Sequence, residues 1–322
     1  MAHIKSSSLY KILAFIFTVI GVLGIYAAPS TDNPIAALDE SAVKLTFAAW
    51  ADTHLGTYNF KREPAFKNAV TDLANATTTP DALIVAGDLT ENGIAEEYAL
   101  FYDNLRLCEN VENYVIASGN HDIRFRYHKN TVERFTSLFN EFTGDDIDSL
   151  YYSSVINGYY FIVLGSEERS MEKAVISDEQ LLWLDETLAQ GTATGLPVFV
   201  IVHQPLKRTH GLPSIWSDVG FWESGDIGEQ SDDVLAILQK YEGVFLISGH
   251  VHTGLGTYTY EKVDNIHSFN LPPLTKKAED GIFNEKGGGF MVEVYENKLC
   301  LGRGTFLKGN TCLSLTLRLN YN

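Results

Sequence analysis

Short apolar runs alternate with amphipathic stretches through most of the chain between residues 43 and 250. The apolar runs are rich in Val, Ile, Leu and Phe and have the length of buried strands. They cover residues 43–52, 81–88, 113–120, 158–166, 196–203 and 243–250. Apolar residues recur at helical spacing in the intervening residues 63–76, 95–108, 131–142, 177–190 and 231–241. This alternation predicts an α/β domain spanning residues 43–322, although strands and turns alone are expected after residue 253.

The first 28 residues form a segment of different character. Two lysines precede the uncharged run 12–28. A basic flank before an apolar run at the N-terminus is typical of a secretory signal peptide or a single membrane anchor. Cleavage after Ala28 would place the bulky Tyr26 at the −3 position, and the run is short for a membrane span, so both alternatives stay open. We expect an exported protein, secreted or attached to a membrane through residues 12–28, and a linker over residues 29–42.

The charge balance restricts the class of partner. The chain has 24 basic and 41 acidic residues, a formal net charge of −17. This charge opposes binding to a nucleic-acid backbone, so no nucleic-acid partner is expected and a nuclease acting on DNA is disfavoured. It does not exclude a small phosphorylated substrate, because bound cations reverse the field locally.

The three cysteines are too few for a disulfide scaffold. Cys108 lies in an apolar helical pattern and is expected to be a buried thiol. Cys300 and Cys312 lie in consecutive strand-like segments, and whether they pair stays open.

Polar side chains suited to metal binding follow five of the predicted strands. These residues are Asp52, His54, Asp88, Asn120, His121, Asp122, His203, His250 and His252. Each alone has an ordinary explanation as a cap, a turn or a buried histidine. The carboxyl ends of strands in an open α/β sheet converge on one crevice, however, so we expect these side chains to meet. Gly87, Gly119 and Gly249 precede three of the groups and are expected to allow the tight turns there.

Carboxylate, imidazole and amide ligands without thiolate suit Mn, Fe or Zn. Seven of these nine residues are the candidate ligands (Asp52, His54, Asp88, Asn120, His203, His250 and His252), which is too many for one ion and suits two ions that share a bridging carboxylate.

The motifs DxH, GD, GNHD, H and GHxH, in this order over residues 45–255, resemble the calcineurin-like metallophosphoesterase superfamily. The resemblance implies an α/β four-layer fold with two central mixed β-sheets flanked by helices, and we expect residues 253–322 to complete the second sheet. It implies two metal ions. One would be held by Asp52, His54, Asp88 and His252, and the other by Asp88, Asn120, His203 and His250. His121 matches the histidine that faces the substrate without binding metal.

The sequence differs from two better-known branches of this superfamily, and these differences restrict the class of substrate. Glu91 occupies the place of the tyrosine ligand of purple acid phosphatases, which also lack a counterpart of His54. The segment GDLTENG lacks the phosphate-clamping arginine of protein Ser/Thr phosphatases. The motifs are more similar to a bacterial branch that includes cyclic-nucleotide phosphodiesterases. They indicate a phosphodiesterase, with a phosphomonoesterase, a protein phosphatase or a catalytically silent metal-binding scaffold as alternatives.

The expected mechanism is hydrolysis by a hydroxide that bridges the two ions. His121 is the candidate general acid for the leaving oxygen, and either Glu91 or Asp122 is expected to orient it. Further candidates for contact with the substrate phosphate are Arg124, Lys207, Arg208 and His210. Residues 204–226 also carry aromatic side chains that either stack on the substrate or pack within a surface loop.

Overall fold

The computed structural model describes residues 43–58, 61–125, 127–217, 224–276, 288–296, 298–304 and 315–318. The predicted signal peptide or anchor, the linker and Cys312 lie outside these residues. Within the described part of the chain, no helix combines the length and the apolar character needed to cross a membrane.

The described chain contains these strands, in order: β1 (Val43–Trp50), β2 (Ala82–Ala86), β3 (Asn113–Ala117), β4 (Tyr152–Ile156), β5 (Tyr159–Val163), β6 (Val198–Ile201), β7 (Val244–Ser248), β8 (Tyr260–Val263), β9 (Ile266–Asn270), β10 (Gly289–Tyr295), β11 (Lys298–Gly304) and β12 (Leu315–Arg318). The helices are α1 (Arg62–Ala74), α2 (Ala95–Leu105), α3 (Asn120–Ile123), α4 (His128–Thr143), α5 (Asp178–Thr192), α6 (Ser214–Ser217) and α7 (Ser231–Leu238).

The strands form two six-stranded mixed sheets, which confirms the predicted architecture. The first sheet has the order β12-β11-β10-β1-β2-β3, and the second has the order β4-β5-β6-β7-β9-β8. Strands β1, β2 and β3 are parallel, as are β5, β6, β7 and β9, whereas β10 runs antiparallel to β1. The carboxyl ends of the parallel strands therefore lie together at one edge of each sheet.

The end of the chain is divided between both sheets, whereas the sequence predicted that residues 253–322 complete only the second. Strands β8 and β9 do extend the second sheet, but β10, β11 and β12 extend the first. Strand β10 alternates buried Phe290, Val292 and Val294 with more exposed residues. It pairs along the free side of β1, which would otherwise be an open sheet edge.

Strand β1 is buried on both faces and separates two parts of the core. Phe47 faces the second sheet, where its ring lies 4.9 Å from that of Phe199. Trp50 is on the opposite face, 6.1 Å from Phe66 of α1, as the two-residue period of a strand requires. A separate apolar cluster joins the outer face of the second sheet to α5 and α7. The layers are therefore helices, sheet, sheet and helices.

Two local features are a helix cap and the buried thiol that was predicted at Cys108. The Ser177 hydroxyl accepts a hydrogen bond from Gln180 N at 3.1 Å, which caps α5. Cys108 is a buried thiol that donates to Asn110 Oδ1, and burial raises its pKa. Cys300 lies buried in β11.

We expect Phe199→Ala to lower the free energy of unfolding by about 3–5 kcal/mol, the usual cost of deleting a buried aromatic ring. The Phe199 ring contacts Phe47, Phe161 and Phe245 at centroid distances of 4.9, 5.1 and 5.5 Å, so its loss leaves a cavity between the sheets. Urea unfolding measures the change. Leu182→Ala on the exposed face of α5 is the control and should alter stability by less than about 0.5 kcal/mol. Equal effects of the two substitutions would contradict the sheet-against-sheet packing.

Candidate metal centre

The predicted ligands lie where the carboxyl edges of the two sheets meet. Asp52 and His54 follow β1, Asp88 follows β2 and Asn120 begins α3 directly after β3. The second sheet contributes His203 after β6, and His250 and His252 after β7. All seven side chains are buried.

The first group of side chains comprises Asp52, His54, Asp88 and His252. The Nε2 atom of His252 lies 3.0 Å from Asp52 Oδ1 and 2.9 Å from His54 Nε2. His54 Nε2 is also 3.6 Å from Asp52 Oδ1 and 3.4 Å from Asp88 Oδ2. Two imidazole nitrogens and two carboxylates thus point at a common centre.

The second group comprises Asp88, His203 and His250. His203 Nε2 is 3.2 Å from Asp88 Oδ2, and the two imidazole rings are 4.9 Å apart. Asp88 belongs to both groups, so its carboxylate lies between them. The two groups match the two ligand sets that the family resemblance implies, apart from the amide of Asn120.

The buried polar atoms of the centre fit a bound cation. The Oδ1 atom of Asn120 is buried and accepts no hydrogen bond from any described residue, although its Nδ2 donates to the Met171 carbonyl at 2.6 Å. His203 Nδ1 donates to the Ala86 carbonyl at 2.7 Å, which directs Nε2 at Asp88. Buried acceptors without a donor are costly, and metal coordination is a common resolution.

The electrostatics of the centre also favour added positive charge. Burial alone would raise the pKa values of Asp52 and Asp88, but the surrounding histidines outweigh burial and hold both pKa values below the usual range. Burial would lower the pKa of His203, yet Asp88 raises it to about 9. The carboxylates therefore hold a proton on His203 when no cation is present. A divalent ion supplies the same compensation more strongly.

Five of the predicted ligands have left-handed backbone conformations. The φ angles are 56° at Asp52, 44° at His54, 53° at Asp88, 73° at His250 and 51° at His252. Such conformations cost about 1–3 kcal/mol each in residues other than glycine and concentrate at functional sites. Backbone hydrogen bonds hold the first loops in place, with Asp52 N donating to Gly87 O at 3.1 Å and His54 N to Asp88 O at 2.9 Å.

The three glycines that precede ligands do not all serve the predicted turn. Gly87 has φ +85° and takes the left-handed turn expected of it. Gly119 has φ −108°, which any residue adopts. A Cβ atom there would lie 2.1 Å from Asp88 Oδ1, and one at Gly249 would lie 2.6 Å from Asp52 Oδ2. These two glycines are required because the carboxylates pack directly against the backbone.

His121 lies beside the first group, with its ring perpendicular to that of His54. Its ring centroid is 4.4 Å from that of His54. Its Nδ1 atom is 2.9 Å from both the Glu91 carbonyl and Arg124 Nη2. Burial, together with His54 and Arg124, lowers the pKa of His121 to about 4 against the opposing effect of Asp88.

Arg124 donates only and the Glu91 carbonyl accepts only, so Nδ1 of His121 serves one of them at a time. Bonding to Arg124 leaves the ring hydrogen on Nε2, where it is available to a substrate.

Of the two acidic residues expected to orient His121, Glu91 lies beside it, with Oε1 3.7 Å from His121 Nδ1. The Glu91 carboxylate contacts Arg62 and lies 3.5 Å from His54 Nδ1. Burial opposes ionisation of Glu91, but His54, His121 and Arg62 lower its pKa to about 2. The carboxylate is therefore charged and lies close to both the His54 and His121 rings, and the Glu91 carbonyl is within hydrogen-bonding distance of His121.

The Asp122 side chain accepts hydrogen bonds from the backbone of Leu89, Thr90 and Gly119, and it forms none with His121. Burial and the Asp88 charge raise the pKa of Asp122 to about 6 in spite of these bonds.

Three of the four residues predicted to contact the substrate have other partners. Arg208 is exposed and pairs with Asp232 at 2.9 Å, and Lys207 Nζ approaches the Glu229 carbonyl. His210 is buried, with Nδ1 bonded to the Tyr258 carbonyl and Nε2 to the Ser268 hydroxyl. Both ring nitrogens of His210 are engaged, so the structure gives it a packing role. Only Arg124 lies at the site.

Three contacts of the site were not predicted. Arg62, the first residue of α1, contacts the Glu91 carboxylate. The Met171 carbonyl accepts from Asn120, and the Glu172 carboxylate pairs with Arg124. Lys276 Nζ lies 3.3 Å from His252 Nδ1. Lys276 follows the β8–β9 hairpin, so no local motif connects it with the ligands.

We expect Gly119→Ala to weaken Mn²⁺ binding at least about tenfold, because the added methyl group displaces the Asp88 carboxylate. Calorimetric titration of the metal-depleted full chain measures this affinity, with circular dichroism to verify folding. Gly256→Ala is the control, since a Cβ atom there meets nothing within 4 Å. Unchanged Mn²⁺ affinity in a folded Gly119→Ala protein would show that the position of Asp88 is unimportant.

Comparison with known proteins shows which proteins this chain is similar to. The chain is 31% identical over 191 residues to a probable glycerophosphodiester phosphodiesterase from Arcobacter nitrofigilis, a match covering 58% of this chain and 62% of the relative. It is 29% identical over 175 residues to a probable cyclic nucleotide phosphodiesterase from Rhodococcus erythropolis, covering 54% of this chain and 52% of the relative. The matches thus span between half and two thirds of the relatives' length.

A solved structure of a dimetal phosphatase from Danio rerio has a TM-score of 0.62 with this chain at 17% identity. The superposition covers 86% of this chain and 100% of that structure. At this identity the likeness establishes a shared fold. The sequence model of the calcineurin-like phosphoesterase family matches residues 45–254, the segment that carries every predicted metal ligand, and the chain therefore belongs to this family.

Proposed function

We propose that the chain is a dinuclear metal-dependent phosphoesterase that hydrolyses phosphodiesters. The observation that carries the proposal is the buried Asp88 carboxylate, which is shared by two groups of carboxylate and imidazole ligands. The names of the two bacterial relatives, both probable phosphodiesterases, support the same reaction class.

The donor set suits Mn, Fe or Zn as the two ions. When bound, such ions stabilise the negative charge of the phosphate and lower the pKa of an attacking water. We assign the first ion to Asp52, His54, Asp88 and His252. The second is assigned to Asp88, Asn120, His203 and His250.

His121 is the general acid of this proposal. It lies beside the first ligand group, and the protonated ring donates from Nδ1 to the Glu91 carbonyl and carries its second hydrogen on Nε2. Delivery of that Nε2 proton to the leaving oxygen returns the ring to its neutral form and offsets the charge that develops as the ester bond breaks.

The preference for diesters is proposed from the charge around the GD segment. This segment carries no arginine, and Arg62, which reaches it, is engaged by the Glu91 carboxylate and the His54 carbonyl. A monoester dianion gains more from an arginine clamp than a diester monoanion does. A site without that clamp therefore disfavours monoesters relative to diesters.

We also propose that the protein is exported. The support is the uncharged run 12–28 behind two lysines, whose pattern is that of a signal peptide or anchor. Export places the substrate outside the cytoplasm.

We expect the Mn-loaded full chain to hydrolyse phosphodiesters at least as fast as monoesters, and Asp88→Asn to lose at least about 100-fold in turnover. The shared carboxylate holds both ions, so its loss should cost no less than the loss of an outer-shell partner. Metal analysis of the purified proteins should show both ions depleted in the variant. Asp103→Asn is the control. Asp103 is exposed and pairs with Arg106, so this variant should bind metal normally.

Two results contradict separate parts of this proposal. An Asp88→Asn protein that retains two ions and near-normal turnover would exclude the shared centre. A strong preference for monoesters across several leaving groups would exclude only the diester assignment.

We expect His121→Ala to retain both ions and to slow the hydrolysis of an alkyl phosphodiester by about 10²- to 10⁴-fold. Hydrolysis of a nitrophenyl diester should fall much less, because nitrophenolate leaves without protonation. Steady-state rates on the two esters give the ratio of effects for each variant.

His250→Ala provides the contrast, since loss of a metal ligand should slow both esters alike and lower the metal content. Equal slowing of both esters by His121→Ala would remove the general-acid role and leave His121 as a phosphate-binding residue.

A further inference from the structure

A cavity of about 430 Å³ lies at the start of α4 and is lined by Phe125, Tyr127, Asn130, Arg134 and Arg169. Its volume is in the range of small-molecule sites. None of the lining residues is acidic, although acidic residues outnumber basic ones 41 to 24 in the whole chain. None of these five residues belongs to the metal-ligand set.

Three segments join this cavity to the metal centre. Arg134 Nη1 donates at 2.9 Å to the carbonyl of Gly93, which ends the GDLTENG segment that contains Asp88. On another wall, Arg169 is two residues before Met171, whose carbonyl accepts the 2.6 Å hydrogen bond from Asn120.

The third connection runs through His121. Its Nδ1 lies 2.9 Å from Arg124 Nη2, and the Arg124 guanidinium lies 4.6 Å from the ring centroid of Phe125. A single side chain therefore separates the cavity wall from the candidate general acid. The contacts from Asp88 through His121 and Arg124 to Phe125 mark the route by which the organic part of a substrate held at the metal centre would reach the cavity.

No carboxylate of the described residues pairs with either arginine of the cavity. Arg62, Arg106, Arg124 and Arg208 each pair with a carboxylate. Among the described residues, Arg134 and Arg169 have no carboxylate within 4.0 Å of their guanidinium groups. Two guanidinium groups that face one cavity repel each other, and an anion between them removes this repulsion and accepts hydrogen bonds from both.

The remaining walls suit an organic linker that carries such an anion. Phe125 and Tyr127 are 47% and 83% exposed, an unusual state for large aromatic side chains on the surface. They offer apolar surface beside the arginines. The amide of Asn130 adds a donor in the first turn of α4, a turn that carries no acidic residue.

We propose that this cavity binds a second anionic group, a carboxylate or a phosphate, carried by the organic part of the phosphoester substrate. This inference rests on the proposed function, since it places the reacting phosphate at the metal centre. The substrate is then a phosphodiester with a charged arm that reaches Arg134 and Arg169 past Phe125.

The test uses nitrophenyl phosphodiesters that share one leaving group and differ in the second ester arm. The arms are carboxypropyl, phosphonopropyl and a neutral amide-ended propyl group of matched length. We expect the Mn-loaded full chain to show a KM about tenfold lower for an anionic arm than for the amide arm. The better of the two anionic arms identifies the group that the cavity accepts.

The double variant Arg134→Gln/Arg169→Gln should lose this difference and retain kcat on the amide-ended ester. Arg134 also bonds the Gly93 carbonyl, so the single variant Arg169→Gln is included and should lose part of the difference without a change in folding. Arg106→Gln, an exposed arginine paired with Asp103, is the matched control and should keep the full preference. Equal KM values for all three arms in the wild type, or a preference retained by the double variant, would overturn the proposal.

A binding measurement separates this inference from the proposed function. Phosphonopropanol and glutarate are titrated calorimetrically into the metal-depleted full chain and into the double variant. Binding that requires the two arginines, without hydrolysis of any ester by the Mn-loaded protein, would retain the anion site and reject the proposed function. Hydrolysis with no arginine-dependent preference or binding would retain the function and reject the anion site.

Discussion

The candidate metal centre depends on the hydrogen bonds of one buried carboxylate. Asp122 accepts from Leu89 N at 3.2 Å, Thr90 N at 3.0 Å and Gly119 N at 2.8 Å. These bonds tie the loop after β2 to the start of α3, so they fix the distance between Asp88 and the residues of the GNHD motif. A hydrogen bond to a charged group contributes about 1.5–3 kcal/mol, enough for three of them to hold two loops together. The motif aspartate is thus a structural residue that serves ligands it does not touch.

The loops held in this way are in unfavourable conformations. Left-handed backbone at five predicted ligands and close approach of Gly119 and Gly249 to carboxylates both lower the stability of the isolated site. The stacked and edge-on aromatic rings between the sheets supply apolar burial that offsets this cost. A metal ion bound to the folded chain alone would add further stability by mass action. The backbone is therefore strained at the ligands, and packing between the two sheets stabilises the loops that carry them.

Sequence patterns predicted most strands, the longer helices and the convergence of the ligands. The spacing of apolar residues and the polar residues that follow each strand can both be read from a short stretch of sequence. These patterns failed for residues that are close in sequence but apart in the fold, and for strands that pair although they are far apart in sequence. Lys207, Arg208 and His210 follow His203 closely, but Lys207 N bonds the Ser231 hydroxyl and His210 N bonds Glu261, which turns this segment away into other contacts. The pairing of β10 with β1 was also not predictable from the sequence, because it joins segments more than 200 residues apart and depends on which sheet edge is free. Strand β4 was not predicted. It is an edge strand in which only Tyr152 and Ile156 are buried, so it lacks the continuous apolar run of the other strands.

The electrostatics of the molecule explain why a basic cavity would matter to an acidic enzyme. A chain with a net charge of −17 repels an anionic substrate, and the carboxylates of Asp52 and Asp88 would repel a phosphate most strongly at short range. At 4 Å, two unit charges interact by about 4 kcal/mol at an effective dielectric constant of 20. Bound cations reverse this repulsion at the reacting phosphate, but their effect is screened by solvent within about 10 Å. A second negative group on the substrate lies beyond the ions and needs its own positive charge, which only Arg134 and Arg169 among the cavity residues provide. The same fold thereby pairs an acidic, cation-binding centre with a basic wall that selects substrates by the charge of their organic part.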